Sequence, residues 1–101
     1  MELQAVPPVK IKLYGVFREI AGEKVLSVNI NKGTTLGDLI KKICGEIGDE
    51  FKAALLDPVT NAPRQYINLL INGRHNRFLG GLDAVLDEGD VIDILMPAIG
   101  G

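Results

Sequence analysis

One stretch, Leu36 to Ile47, carries an apolar stripe at helical spacing, and runs that alternate apolar and polar residues flank it on both sides. Leu36, Leu39, Ile40, Ile43, Cys44 and Ile47 recur at i, i+3, i+4 and i+7, which places them along one side of a helix, with Lys41, Lys42 and Glu46 off it. Thr35 is a good N-cap for that helix, Asp38 is a weaker capping-box partner, and Gly48 suits its end. A helix with one apolar stripe must bury it, and the alternating runs supply strands with one apolar face each. A chain of 101 residues is one domain by length. At that size it hides somewhat more than about 60% of its unfolded surface, enough for one core. The expectation is an α+β fold, a mixed sheet of four to five strands crossed by one main helix.

The strands follow from the alternation. In "VKIKLYGVF", Val9, Ile11 and Leu13 fall on one face and Lys10, Lys12 and Tyr14 on the other. "REIAGE" reads as a turn around Gly22, and "KVLSVNI" as a second strand with Leu26, Val28 and Ile30 inward, so the two form a hairpin with a long loop. After the helix, "DEFKAALLD" reads as a short second helix that tucks Phe51, Leu55 and Leu56 under the core, and "PVTNAPR" as a loop. "QYINLLI" is a third strand closed by the turn signal Asn72-Gly73. "RHNRFLGGLDAVL" reads as irregular, with a brief strand near Phe78 and Leu79, and "DEGD" as a turn. "VIDILM" is the last strand, with Ile92 and Ile94 facing in, Asp93 and Leu95 facing out, and Pro97 ending it. Residues 1–8 read as a flexible lead-in, 9–96 as the domain and 97–101 as a flexible tail.

Composition narrows the function. The net charge of −2, from eleven basic and thirteen acidic residues, makes no case for nucleic acid or an anionic membrane. One cysteine allows no internal disulfide and no cysteine-based metal cluster. No apolar run approaches a membrane span, and "MELQAVPPV" lacks the basic start and apolar core of a signal peptide, so a soluble cytoplasmic protein is expected. P-loop, GxGxxG and GxSxG signatures are absent from the sequence. Cys44 lies in the helical stripe, where a small buried hydrophobe outweighs a catalytic thiol. His75 falls in a polar turn, where a solvated ring outweighs a ligand or base. The acids Asp87, Glu88 and Asp90 flank a glycine as in ordinary turns. The expectation is a protein with no catalysis of its own and no bound cofactor or metal.

One chemical feature is left, the ending "ILMPAIGG". A carboxylate is a poor electrophile, so a terminal group that transfers sulfur or forms an amide must first be activated, for instance as an acyl adenylate. That takes ATP and an enzyme, both supplied by a partner. Glycine has no Cβ, so a Gly100-Gly101 end fits a narrow slot. The residues from Met96 to Gly101 span at most about 20 Å when extended, which carries Gly101 into another protein's active site while the body docks outside. Tyr14 and Leu95 both face away from the core, and Met96, Pro97 and Ile99 continue the apolar run to the tip. If the first and last strands are neighbours, Tyr14 and Leu95 form an exposed docking patch beside the tail. The alternative is a sheet face covered by the protein's own loops. Arg18 would be either a charged contact at the rim of the patch or a solvated arginine at a strand end.

The segments "KIKLYGVFREIAG", "TTLGDLI", "LLINGR" and "LGGLDAVLDEGDVIDILMPAIGG", with the two final glycines, resemble the MoaD/ThiS family of sulfur carriers. The likeness is greatest to MoaD, the small subunit of molybdopterin synthase, and covers Val9 to Gly101. It implies a ubiquitin-like β-grasp fold with the first and last strands side by side and parallel in the sheet centre. It implies adenylation of Gly101 by an ATP-dependent activating enzyme of the MoeB type and conversion to a thiocarboxylate by a sulfur donor. The loaded tail then enters a MoaE-type large subunit and gives sulfur to the pterin precursor. Met96-Pro97-Ala98-Ile99 replaces the paired prolines frequent in MoaD-type tails, Leu95 stands where an aromatic is frequent, and Arg74 to Gly81 is longer than in a minimal MoaD. Three other functions share parts of this pattern: a ubiquitin-like modifier that forms isopeptides through Gly101, a sulfur carrier for thiamine or another thio-compound, and a non-catalytic β-grasp interaction domain.

Overall fold

The computed structural model of the protein describes residues 7–96. Their elements are β1 (Val9–Leu13), α1 (Gly15–Ala21), β2 (Val25–Val28), α2 (Leu36–Ile47), α3 (Asp49–Leu55), β3 (Asn68–Ile71), β4 (Arg74–His75), two 3₁₀ turns (Asn76–Phe78 and Gly81–Asp83) and β5 (Val91–Leu95). The five strands form one mixed sheet in the order β2-β1-β5-β3-β4. β1 and β5 are parallel, with Ile11 opposite Ile92 and Leu13 opposite Ile94; the other pairings are antiparallel. This is the expected α+β architecture, with its first and last strands adjacent.

The core lies between one face of the sheet and α2. Val9, Ile11 and Leu13 of β1, Leu69 and Ile71 of β3, and Ile92 and Ile94 of β5 are buried against Leu36, Leu39, Ile40, Ile43 and Cys44 of α2. Full burial of each large aliphatic side chain contributes roughly 1.5–3 kcal/mol, so the α2 stripe and the sheet face stabilise one another. The helix starts where the sequence indicated: Thr35 Oγ1 accepts from the Asp38 N–H, and the Asp38 carboxylate accepts from the Thr35 N–H, both at 3.1 Å. These bonds hold the Asp38 carboxyl below its usual range. Gly37 lets the second 3₁₀ turn press on the first turn of α2, because a Cβ there would stand 3.3 Å from the Leu82 carbonyl oxygen.

Two segments differ from the sequence expectation. The alternation in "VKIKLYGVF" runs through Phe17, but β1 ends at Leu13 and "GVFREIA" is the helix α1, where a strand end and a turn were expected. Gly15 at φ +55° breaks the strand, and Phe17, Ile20 and Ala21 then follow helical spacing toward the core. Gly22, in the left-handed region, caps α1 by donating its N–H to the Arg18 carbonyl. Phe17 is fully buried and meets Phe51 of α3 edge to face, with ring centroids 5.5 Å apart. The second difference concerns the brief strand expected near Phe78 and Leu79. It lies earlier, at Arg74–His75, because Asn72 (φ 52°) and Gly73 (φ 85°) make a two-residue turn that pairs Ile71 with Arg74. Asn76–Phe78 is a 3₁₀ turn instead.

The third strand is shorter than "QYINLLI", beginning at Asn68. The lead-in at 1–6 and the tail at 97–101 lie outside the described residues. Within the described part of the lead-in, the Pro7 carbonyl accepts from the Gly89 N–H at 3.2 Å.

Phe17 joins α1 to α3 with no exposed surface. Replacing it with alanine is expected to lower unfolding stability by about 3–5 kcal/mol, read from urea titrations followed by circular dichroism.

Candidate functional site

The register of the sheet builds the site. Lys12 lies opposite Asp93 across the parallel β1–β5 pair, and Asp93 lies opposite Leu70 across β5–β3. Leu95 lies opposite Asn68. These residues share the face that turns away from α2, since their neighbours Ile11, Leu13, Ile92 and Ile94 fill the core. Tyr14 follows β1 in an extended conformation (φ −132°, ψ 156°), so its side chain takes the same outward face, one position beyond the Leu13–Ile94 pair and level with Leu95. It is 42% exposed, so among the described residues no loop covers this side chain.

The phenol of Tyr14 donates to Asp93 Oδ1 at 2.8 Å, so its ring reaches back along β5 from the level of Leu95 to that of Asp93. The bond to Asp93, followed by slight burial and the Asp93 charge, raises the phenol above its ordinary pKa of 10.0. A phenol that holds its proton more tightly folded than unfolded contributes stability at neutral pH. That contribution is lost as the pH rises through the folded value, above 10.0.

The residues expected at the site are not all brought together. Tyr14 and Leu95 lie level with one another on the outward face, but Leu95 is half-buried where an exposed side chain was expected. Met96 extends the strand past Leu95 but is half-buried and packs against the core. Arg18 is exposed on α1, not at a strand end, and lines a shallow depression with Glu19, Gly22, Glu23 and Lys24. Pro97, Ile99, Gly100 and Gly101 lie outside the described residues. Asp93 was read from the sequence only as outward-facing. Its bond to Tyr14 depends on the β1–β5 register, which no local pattern specifies.

The other reactive side chains are occupied structurally. Cys44 is buried, and burial raises its thiol above the ordinary 9.0, with Lys52 pulling weakly the other way. Such a thiol stays protonated and unreactive at neutral pH. His75 is half-buried, not simply solvated; its Nδ1 accepts from the Arg77 N–H and caps the first 3₁₀ turn. The Asp90 carboxylate accepts from the Asp87 N–H and the Asn72 side-chain amide, and Asn72 Oδ1 accepts from the Val91 N–H. Asp90 therefore stitches the turn before β5 to the turn after β3. Among the described residues no group of three or more His, Cys, Asp or Glu is placed to hold a metal ion, and no helix is long and apolar enough to cross a membrane.

The stretch that runs from β1 through β5 to the final glycines coincides with a known sequence family. The ThiS family pattern matches residues 11–101. The chain belongs to the ThiS family. It is 28% identical over 93 residues to small archaeal modifier protein 3 of Haloferax volcanii, a match covering 92% of this chain and 98% of the relative. Its fold matches the solution structure of small archaeal modifier protein 1 from Methanosarcina acetivorans with a TM-score of 0.79 and 29% identity, covering 97% of this chain and all of that one (100%). It also matches a putative molybdopterin converting factor, subunit 1, from Pyrococcus furiosus, with a TM-score of 0.70 and 26% identity, covering 91% of this chain and 99% of that one. The ThiS family is one of ubiquitin-like sulfur carriers and modifiers, and the chain has its β-grasp scaffold.

In a Tyr66→Phe background, which leaves Tyr14 as the one tyrosine of the two present, ultraviolet titration is expected to show a phenol above 10.0. Adding Asp93→Asn is expected to bring it down toward that value.

Proposed function

We propose that this protein is a sulfur carrier of molybdopterin biosynthesis whose chemistry resides at the carboxylate of Gly101. The carboxylate attacks the α-phosphorus of ATP in a MoeB-type activating enzyme, forming an acyl adenylate and releasing pyrophosphate. A sulfide equivalent from a sulfur donor displaces AMP and leaves a thiocarboxylate. The loaded tail enters a MoaE-type large subunit and passes its sulfur to the pterin precursor. The carrier binds no cofactor alone; ATP belongs to the activating partner. Each step takes place in the cytoplasm.

The observation that carries this reading is the exposed Tyr14 and half-buried Leu95 on the outward face of β5, the strand that runs into residues 96–101. Docking on that face, with Pro97 and Ile99 as further contacts and Arg18 at the rim, holds the body while the tail is threaded. The entropy of ordering the tail is then offset by a second anchoring surface. Gly100 gives the tail the thin profile that a narrow slot requires. The name of the Pyrococcus furiosus structure supports the molybdopterin assignment.

A second reading draws on the Haloferax volcanii relative, which is named as a modifier. In it the same adenylate is captured by a lysine of a target protein as an isopeptide. Affinity capture under denaturing conditions separates the two, because only the modifier stays attached to other proteins.

Intact mass spectrometry of protein from its native host is expected to show one terminal oxygen replaced by sulfur. Gly101→Ala, or one residue appended after Gly101, is expected to leave the melting temperature unchanged and to abolish sulfur transfer. An appended, untrimmed protein that still supplied sulfur would overturn the insertion mechanism. Leu95→Asp is expected to weaken partner binding more than folding, checked by calorimetric titration alongside thermal melts.

A further inference from the structure

From the register of the sheet and the lysines around its first edge, we infer that β2 is a second interaction surface, which takes an extended acidic peptide of another protein as a further strand of the sheet. The inference does not depend on the carrier reading above.

The backbone supplies the first argument. β2 ends the sheet order and pairs only with β1. The Leu13 N–H donates to the Lys24 carbonyl at 2.8 Å. Bonded and non-bonded residue pairs alternate along an antiparallel ladder. The bonded pairs are therefore Ile11 with Leu26 and Val9 with Val28. The N–H and C=O groups of Val25 and Ser27 point the other way, out of the sheet edge. Among the described residues no strand covers that edge. Asn29 is next in the alternation, and its carbonyl oxygen lies 3.5 Å from Lys42 Nζ of α2. The open row thus stops at a cation. Donors and acceptors that recur at every second residue along an edge match an extended backbone, the pairing used in strand addition.

The side chains define what that backbone carries. Leu26 and Ile30 are only partly buried where they pack against the core, so apolar surface reaches the edge on the α2 side. Apolar residues at alternate positions of an added strand extend it. On the outward side, Val25 lies opposite Lys12 and Ser27 opposite Lys10. Both lysines are exposed. A strand added beside β2 stands about 10 Å from β1, two strand spacings, within reach of a lysine side chain. Its outward residues therefore meet Lys10 and Lys12, with Lys24 and Lys42 at the two ends of β2. Against these stand Glu23, beside Lys24, and Glu46, one turn beyond Lys42. Asp93 lies on the far side of Lys12, one strand further from the edge, and accepts from Tyr14. The edge is thus rimmed mainly by cations and selects carboxylates on the visitor's outward face. A second copy of this chain is disfavoured, because β2 against β2 would bring the same lysines together. β1 separates β2 from β5, so a peptide held here leaves the outward face of β5 free.

The test uses the full-length protein, labelled with nitrogen-15, and a capped synthetic peptide of alternating aspartate and valine, about eight residues long to match a strand. Amide shift changes and slowed hydrogen exchange are expected at Val25 and Ser27. A peptide of alternating lysine and valine is expected to bind at least roughly tenfold more weakly, and the double variant Lys10→Glu, Lys42→Glu to weaken the aspartate peptide by roughly tenfold. Ser27→Pro removes one edge N–H at a position where a strand edge tolerates proline, and is expected to weaken binding roughly fivefold. Should that variant not fold, the aspartate peptide N-methylated at alternate residues removes bonds from the other side, with the same expected loss. Absence of shifts at about 1 mM peptide, equal affinity for the two peptides, or shifts confined to the surface around Tyr14 and Leu95 overturns the inference. So does sedimentation that shows a dimer broken by Ser27→Pro, which would give the edge to a second copy. None of these outcomes bears on the chemistry of Gly101.

Discussion

The parallel pairing of β1 with β5 is the contact on which the rest of the molecule depends. It joins the two halves of the sheet, since β2 attaches only through β1, and β3 and β4 only through β5. Its inward residues, Ile11 and Leu13 with Ile92 and Ile94, form the floor on which α2 lies. Its outward residues, Lys10, Lys12, Asp93 and Leu95, with Tyr14 just beyond β1, form the opposite face. Core and site are thus two sides of one pair of strands, and alternation along the backbone keeps them apart.

This arrangement leaves so small a domain with one sheet face free of core packing. Side chains facing α2 supply the stability, so those facing solvent are available for recognition. The polar residues of the turns serve the same separation. Asp90 and Asn72 lock the approach to β5, and Asp57 accepts from the N–H groups of Val59 and Thr60 to shape the loop after α3. Those bonds hold the Asp57 carboxyl below its ordinary 3.8, so their contribution is present above that pH and lost as the pH falls below it. Each of these carboxylates and amides is engaged in shaping a turn.

Much of this was legible in the sequence. The stripe from Leu36 to Ile47 and the Thr35–Asp38 cap fixed α2 because both signals are local. The alternation in "VIDILM" placed Asp93 and Leu95 outward for the same reason. The helix α1 was not legible, because Phe17 satisfies both a strand period counted from Val9 and a helix period counted toward Ala21. Gly15 decides between them through a backbone angle that its identity permits but does not demand. The two-residue β4 was misplaced because its length carries no pattern; the Asn72-Gly73 turn was the usable signal, and its pairing consequence is Arg74–His75. At the site, the partnership of Tyr14 with Asp93 was hidden because it arises from register between distant strands.

That distance has a consequence for how the molecule is recognised. Bringing together positions 79 apart costs chain entropy on the order of 4 kcal/mol, met only by the cooperative assembly of the whole sheet. No fragment that lacks either terminal strand can assemble the surface around Tyr14. A protein that grips this surface before touching the tail therefore inspects tertiary structure, not a linear epitope. To such a protein, a nascent or damaged copy would differ from a folded one even with identical final glycines.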